Sequence, residues 1–281
     1  MKKILFIFAF LVGFTTIAQD KKDAPTSNWK KAVNVSFLFN QSSFSNWVSG
    51  GDNTVAVNFG INYDFNYTKD SWTWDNKIIT KYGLSNTKSN GTRKTDDSFE
   101  FNSLIGKKAK GFWSYSFFLN LRSQFTNGYN YATDPNATTA VSSFFSPGYL
   151  TFGPGMLWKK SDNFKINISP ATTKLTFVSN DLAGSFGTAA GETSKFEMGF
   201  YGSLYHKTTI MKNVSMENIV TVYTNYLDKP QNVDIIHQVN FVMQINKYLS
   251  TNLSFHTIID DDASKRVQFK EVFGLGVNYI F

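Results

Sequence analysis

The sequence lacks cysteine and is poor in proline, with only six prolines among 281 residues. Without cysteine, the protein has no disulfide, no catalytic thiol and no metal–thiolate site. Its three histidines, His206, His237 and His256, are too far apart in the sequence to form a pair with metal-ligand spacing. The Gly-x-Ser-x-Gly nucleophile motif is also missing. We therefore expect no enzymatic activity and no cofactor.

Long apolar runs are also missing beyond the first residues of the chain. Residues 1–18 have the pattern of a signal peptide, in which two lysines precede an apolar run over 4–12 and Ala18 ends a small-residue cleavage site. The apolar run is too short to cross the ~30 Å hydrocarbon core of a bilayer as a helix. Residues 19–31 are polar and predict a short periplasmic lead. We expect an exported protein in which residues 32–281 form a single domain.

Aromatic residues are abundant, at 17% of the chain, and they recur with period two. The clearest case is 54–67, where one face is apolar or aromatic and the other is small or polar. The last stretch, 267–281, alternates in the same way and ends on an aromatic residue. This pattern is typical of membrane β-barrels, in which one face of each strand meets lipid and the other meets the lumen.

The same alternation predicts twelve strands, an even number that places both termini on one side of a closed barrel. Gly153-Pro154-Gly155 predicts a bulge or bend in the sixth strand, because proline cannot donate a hydrogen bond to the ladder. The predicted strands are 33–39, 54–67, 72–84, 98–108, 112–125, 148–158, one that begins at 164, one around 196–204, and 214–226, 233–245, 249–259 and 267–281.

The connections alternate in length, which gives the barrel an orientation. Those after even-numbered strands are short, and we expect longer loops at 42–53, 86–96, 126–147, 179–194 and 260–266. Short periplasmic turns and long extracellular loops are the pattern of outer-membrane barrels. Lysines lie at the short turns, where they suit an anionic lipid leaflet and not a nucleic acid. We predict an all-β fold, a single transmembrane antiparallel up-and-down barrel of about twelve strands in the outer membrane of a Gram-negative bacterium.

A family resemblance supports this fold. The chain resembles the Bacteroidota outer-membrane β-barrel family filed as domain of unknown function 3078, over essentially the whole chain after the signal peptide. The resemblance implies a barrel but no reaction and no catalytic residue. It rests on Asn46-Trp47 with Gly50-Gly51, Trp74-Asp75-Asn76 with Tyr82-Gly83-Leu84, Arg93 to Asp97, Asn225 to Asp234, Asp260 to Asp262, and Gln268 to Glu271.

Charged residues on the inward parity are the candidate functional residues of such a barrel. They would either line a water-filled path or pair across the lumen and close it. Short inward residues on the second, fifth and last strands favour an open path, whereas Phe118 and Arg122 face inward and would narrow it. We expect Arg122→Ala to change conductance or ion preference. The candidate lumen residues are Asp64, Asp75, Lys77, Lys81, Glu100, Arg122, Glu197 and Glu217.

Two functions from different classes remain open from the sequence. One is a passive channel for small polar solutes, and the other is a non-conducting accessory barrel of an outer-membrane assembly or secretion complex. Loop aromatics fit either, as a constriction or as anchors for a partner protein. These candidate loop contacts are Trp47, Tyr129, Tyr131, Phe144 and Phe145.

Three further expectations concern the end of the chain. Tyr279 and Phe281 lie on the apolar face of the last strand, and we expect the barrel-assembly machinery to recognise them, with outer-membrane lipid as the other partner. Asp260 to Asp262 lacks the spacing of a calcium loop and predicts a solvated loop. Glu271 falls on the lipid-facing parity, so it either lies above the bilayer or follows a bulge near Lys270.

Overall fold

A computed structural model describes residues 27–43, 52–246 and 249–280, without the side chains of 278–280. These residues form a closed antiparallel barrel of twelve strands, as predicted, and a separate two-stranded sheet. The barrel consists of β1 (Trp29–Ser42), β2 (Thr54–Lys69), β3 (Trp72–Thr87), β4 (Gly91–Lys108), β5 (Trp113–Ser123), β8 (Gly148–Ser161), β9 (Phe164–Phe177), β10 (Ser194–Met211), β11 (Val214–Asn225), β12 (Val233–Gln244), β13 (Leu249–Asp260) and β14 (Ser264–Ile280). Between β5 and β8, the strands β6 (Gly128–Tyr129) and β7 (Ala140–Ser142) form the small sheet.

Several sequence-based predictions fall outside this description. The signal peptide, Trp47 and Phe281 lie outside the described residues, as does the side chain of Tyr279. β1 begins at Trp29, whereas the barrel was predicted to begin at residue 32, so the predicted polar lead is three residues shorter. Among the residues that the structure describes, no helix is long and apolar enough to cross a membrane.

Period-two alternation separates an apolar outer surface from a polar interior. On β14, Phe273 and Leu275 are 60% and 53% exposed on the outside, while Gly274 between them is buried. Indole rings from the ends of neighbouring strands add an exposed aromatic band, which includes Trp72 and Trp113. An apolar surface this extensive is unfavourable in water and requires lipid or another protein around it.

The barrel closes where β14 meets β1. The ladder between them runs from the pair Asn34–Ile280 to the pair Phe39–Leu275. Gly276 lies in this ladder, where a Cβ atom would stand 2.5 Å from the carbonyl oxygen of Phe37. The two backbones therefore approach each other closely, and only glycine leaves room at this position.

The turns 70–71, 109–112, 162–163 and 212–213 and the adjoining ends of β12 and β13 lie at one end of the barrel, here called the short-turn rim. The opposite end, the long-loop rim, carries the connections 124–147, 178–193 and 226–232 and the adjoining ends of β1 and β2. The alternation of connection lengths predicted from the sequence is thus present in part, because 124–147 and 178–193 are long. Two connections at the long-loop rim, 88–90 and 261–263, are nevertheless short.

The predicted loop at 86–96 is wrong, and so is the start of the fourth strand at residue 98. β3 continues to Thr87 and β4 begins at Gly91, and the two strands remain paired to that point. Both faces of this extension are polar, as in the hydrogen bond of 2.8 Å from Asn86 Nδ2 to Thr92 Oγ1. Because no apolar face continues here, the period-two signal disappears although the ladder does not.

An irregular register opposite Gly153-Pro154-Gly155 is present as predicted, but the extra residue lies on β9, between Ser169 and Thr172. The register between β8 and β9 shifts between Phe152 and Met156, where Pro154 interrupts the ladder. Added Cβ atoms at Gly153 and Gly155 would collide with the β9 backbone at Ala171 and Ile168. The wall is therefore compact at this side of the barrel, and its inner surface is covered by neighbouring backbone.

The bulge considered near Lys270 is absent. Phe255 and His256 on β13 pair in unbroken register with Glu271 and Lys270 on β14. The register shift in this ladder lies closer to the long-loop rim, after Ile258. Glu271 therefore lies on the outer face, exposed between two phenylalanines of the same strand.

Candidate functional site: the lumen of the barrel

The interior of the barrel contains the charged residues that the sequence predicted for it. Seven of them line cavities inside the barrel, and the eighth, Glu197, is buried against a lysine of the adjacent strand. The seven are Asp64, Asp75, Lys77, Lys81, Glu100, Arg122 and Glu217.

One ion pair crosses the full width of the lumen. Lys77 Nζ on β3 lies 3.1 Å from Glu217 Oε1 on β11, and these strands are six positions apart in either direction around the barrel. Glu217 also accepts hydrogen bonds from Tyr205 (3.0 Å) and Asn240 (3.2 Å). Because both charges have other polar partners, the desolvation that the pair requires is largely compensated. The pair acts as a strut that divides the lumen.

An aromatic stack also crosses the interior. The rings of Phe118 on β5 and Tyr201 on β10 are parallel to within 15°, with centroids 4.2 Å apart. Phe118 is 4% exposed, so it fills space and does not border water. The side of the lumen formed by β5, β8, β9 and β10 is therefore packed at this level.

Near the short-turn rim, Asp75 of β3 binds two lysines from across the lumen. Its Oδ2 lies 2.9 Å from Lys159 Nζ and 3.0 Å from Lys165 Nζ. Lys159 had been predicted at a short turn facing lipid head groups, but its side chain points inward. This cluster joins β3 to β8 and β9 and narrows the lumen at this end.

A second charged cluster lies toward the long-loop rim. Lys174 on β9 is 2.8 Å from Asp234 on β12 and 3.7 Å from Glu197 on β10. Lys195 lies 3.5 Å from Glu197 and also pairs with Asp262, in the last connection. The cluster alternates in sign, which keeps its local net charge small.

Some lysine and arginine side chains of the lumen have no carboxylate partner among the described residues. Lys270 lies 2.8 Å from Asp96, and that carboxylate belongs to the same region as Lys81. Among the described residues, neither Lys81 nor Arg122 has a carboxylate within 4.0 Å. Arg122 instead lies over the ring of Tyr149, at 5.3 Å from its centroid.

Three cavities occupy the remaining space. The first, of about 230 Å³, follows β1, β2, β12 and β13 and is lined by amide and hydroxyl side chains together with apolar and charged ones, with Lys207 and Lys81 among the charges. The second, of about 330 Å³, opens toward the turn at 162–163 and ends at Phe118 and Tyr201. The third, of about 50 Å³, surrounds Arg122. Lys77 and Glu217 both border the first cavity, and Lys77 also borders the second.

The loop aromatics are not equivalent. Phe144 is 70% exposed, whereas Tyr131 lies under the Arg93 guanidinium at 4.2 Å from its ring centroid. Phe145 packs over Gly148 at the start of β8, and Tyr129 contacts Tyr131. Only Phe144 among these four is mostly free of the barrel, and Tyr129 and Tyr131 do not enter the cavities described above.

Hydrogen bonds also organise the acidic residues of the long-loop rim. Ser89 donates through its hydroxyl and its backbone N–H to Asp52, and these bonds lower the pKa of that exposed carboxyl below its ordinary value. Asp260 accepts the backbone N–H groups of Asp262 and Ala263 at 3.0 Å each. Within the described ranges, no three acidic or histidine side chains converge as metal ligands would.

Sequence reasoning missed several residues that complete the lumen network. Lys270 could have been found, because it lies on the inward parity of a strand whose alternation is clear. Lys174 was harder to place, because an extra residue in β9 between Ser169 and Thr172 changes which parity faces the lumen. The missed residues are Asp96, Lys159, Lys165, Lys174, Tyr201, Asp234 and Lys270.

Comparisons with other proteins specify no role for this chain. A family model described as Protein of unknown function (DUF3078) matches residues 39–129, less than half of the chain. The search of curated proteins gives no match. Among solved structures, the chain is similar to the translocator domain of autotransporter NalP from Neisseria meningitidis, with 10% identity and a TM-score of 0.35. This match covers 92% of this chain and 90% of that chain. It is similar to the outer membrane channel DcaP of Acinetobacter baumannii with 11% identity, 90% and 96% coverage, and a TM-score of 0.33.

Proposed function

We propose that this protein is an outer-membrane β-barrel through which small polar solutes pass passively, in a Gram-negative bacterium of the Bacteroidota. The observation that carries the proposal is the first cavity. It reaches from Lys207, near the short-turn rim, to Lys81 and Asp96, and its wall includes amide and hydroxyl side chains from several strands. Such a surface replaces part of the hydration of a passing solute without trapping it.

The outer surface supports the membrane location. Exposed apolar side chains surround the barrel, and exposed indole rings lie at the strand ends near the short-turn rim. In the proposed orientation, this rim faces the periplasm and the long-loop rim faces outward. The Asp75 cluster and the Phe118–Tyr201 stack restrict the other side of the lumen, so we expect a low conductance.

Recordings in planar bilayers test the proposal. The purified protein, with folding checked by its heat-modifiable migration on gels, should produce small and stable single-channel steps. The heat-unfolded protein, added at the same concentration, should produce none. A folded protein that leaves the bilayer silent would contradict passive passage.

A second candidate function is an accessory barrel within a larger outer-membrane complex. One observation favours it: Phe144 projects from the long-loop rim and is 70% exposed, as a protein-binding anchor would be. Extraction in a mild detergent, followed by identification of co-purifying proteins, tests this role. A partner that is lost from the Phe144→Ser protein but retained by the Phe145→Ser protein would support it, and purification of the chain alone would count against it.

A further inference from the structure

We infer that the lumen prefers small anions, such as chloride or inorganic phosphate, and that Lys81 is the residue that sets this preference. The inference rests on the proposed passage through the first cavity and adds to it the class of solute. Its basis is the way in which the lysines and carboxylates around that cavity are paired.

Each carboxylate on the wall of the first cavity has a lysine partner. Glu217 and Asp64 lie 3.1 and 3.9 Å from the ammonium group of Lys77. Asp96 lies 2.8 Å from Lys270 of β14. A carboxylate held in this way by a fixed ammonium group attracts a passing cation less strongly.

Two lysines of the same wall are left without such a partner. Lys81 and Lys207 both line the cavity, and among the described residues no carboxylate lies within 4.0 Å of either ammonium group. Lys207 pairs in register with Glu217, but that carboxylate already binds Lys77, Tyr205 and Asn240. Three lysines and three carboxylates therefore line this cavity, and Lys270 adds a fourth ammonium group at Asp96.

The two lysines lie at different depths along the cavity. Lys207 is exposed near the turn at 212–213, whereas Lys81 lies on β3 beside the Lys270–Asp96 pair. The wall between them offers amide N–H and hydroxyl groups, which can solvate an anion. These neutral groups come from Asn58, Asn62, Gln238, Asn240, Asn252 and Ser254.

Close to Lys81, the Lys270–Asp96 ion pair and an imidazole also face the lumen. Lys270 of β14 pairs in register with His256 of β13, and both residues face the lumen. The Nε2 atom of His256 is buried and has no hydrogen-bond partner in the described structure. Lysine rings are a known basis of anion selectivity in pores, so this arrangement suits an anion at the level of Lys81.

The test compares Lys81→Gln with Lys160→Gln in bilayers that separate two concentrations of potassium chloride. Lys160 is exposed at the end of β8, so its replacement removes the same charge outside the cavity. The wild type and Lys160→Gln should show a reversal potential of the sign that chloride preference gives. Lys81→Gln should lower the chloride-to-potassium permeability ratio at least about threefold, the effect of a unit charge ~6 Å from the ion at the dielectric constant of water.

A binding measurement separates this inference from the proposed function. Folded wild-type protein in detergent should broaden the NMR signal of chloride, and Lys81→Gln should broaden it less than Lys160→Gln does. Channel steps without anion preference would overturn the inference and leave passive passage intact. Silent bilayers with broadening that depends on Lys81 would overturn passage but retain the anion site. Equal broadening by both variants, together with unchanged reversal potentials, would overturn the role of Lys81.

Discussion

Two strands carry short inward residues, but those of β2 border a cavity and those of β14 are covered by a side chain. On β2, Asn58, Gly60 and Asn62 border the first cavity. On β14, Gly274 and Gly276 are covered by the side chain of Leu38. Small residues therefore leave space for water only where the neighbouring strand does not fill it. Both strands lie on the open side of the lumen, whereas the side formed by β5, β8, β9 and β10 is packed.

Among the variants considered, Phe118→Ala on the packed side of the lumen is expected to change stability and conductance most. Removing a buried ring typically costs about 3–5 kcal/mol of stability. Here it also removes one of the two rings at which the second cavity ends. We expect a lower midpoint of chemical unfolding and a higher single-channel conductance. Phe117→Ala is the matched control, because Phe117 is 43% exposed on the outer face. Equal conductance in the two variants would show that the stack does not limit passage.

The next effect concerns Gly276, at the closure of the barrel. An alanine Cβ there would stand 2.5 Å from the backbone oxygen of Phe37, which cannot rotate away. We expect Gly276→Ala to lose about 1–3 kcal/mol, the usual cost of overpacking. At Gly60 on the open side, the same atom would meet the Ser36 hydroxyl at 2.7 Å, which can rotate. Guanidinium unfolding in detergent should therefore show Gly60→Ala to be the more stable variant.

The strut between the two sides should show energetic coupling. A double-mutant cycle with Lys77→Met and Glu217→Gln is expected to give a coupling energy on the order of 1–3 kcal/mol. The pair Lys159–Asp162 is the comparison, because Asp162 is 76% exposed and such surface pairs contribute less than about 1 kcal/mol. Coupling no larger than that of the exposed pair would contradict a strut across the lumen.

The smallest expected effect lies on the outer surface. Glu271→Gln removes a charge from a strand whose other outward residues, such as Phe269 and Phe273, are apolar. We expect a gain in stability of below ~1 kcal/mol, because acidic residues near the edge of the lipid belt cost little. Unfolding from lipid vesicles measures it, and conductance should not change. A loss of stability would indicate that Glu271 has a polar partner.

The sequence was sufficient for the wall of the barrel because the alternation of apolar and polar residues follows directly from lipid on one face. It predicted twelve strands, an irregular register at Pro154 and the inward direction of Asp64 and Glu217. It misplaced the loop at 86–96, where both faces are polar and the alternation carries no signal. It treated Gly274 and Ser114 as evidence for open space, because period two gives the direction of a side chain and says nothing about what lies opposite.

Pairing across the lumen was beyond sequence reasoning for a similar reason. Lys77 and Glu217 are separated by 140 residues, and their contact depends on the register of every strand between them. The same holds for Lys270 and Asp96. A one-residue shift in any ladder would turn these side chains outward, so the pairs could be located only in the closed barrel.

Cysteine accessibility tests the central claim, a lumen that is open to water on one side and packed on the other. The chain has no cysteine, so single replacements give an unambiguous signal. Asn62 borders the first cavity, whereas Ser116 is 8% exposed and donates a hydrogen bond of 2.7 Å to Asn167. In the folded protein, a small charged methanethiosulfonate should modify Asn62→Cys readily and Ser116→Cys only after unfolding. Equal rates of modification at the two positions, or no modification of Asn62→Cys, would contradict the account.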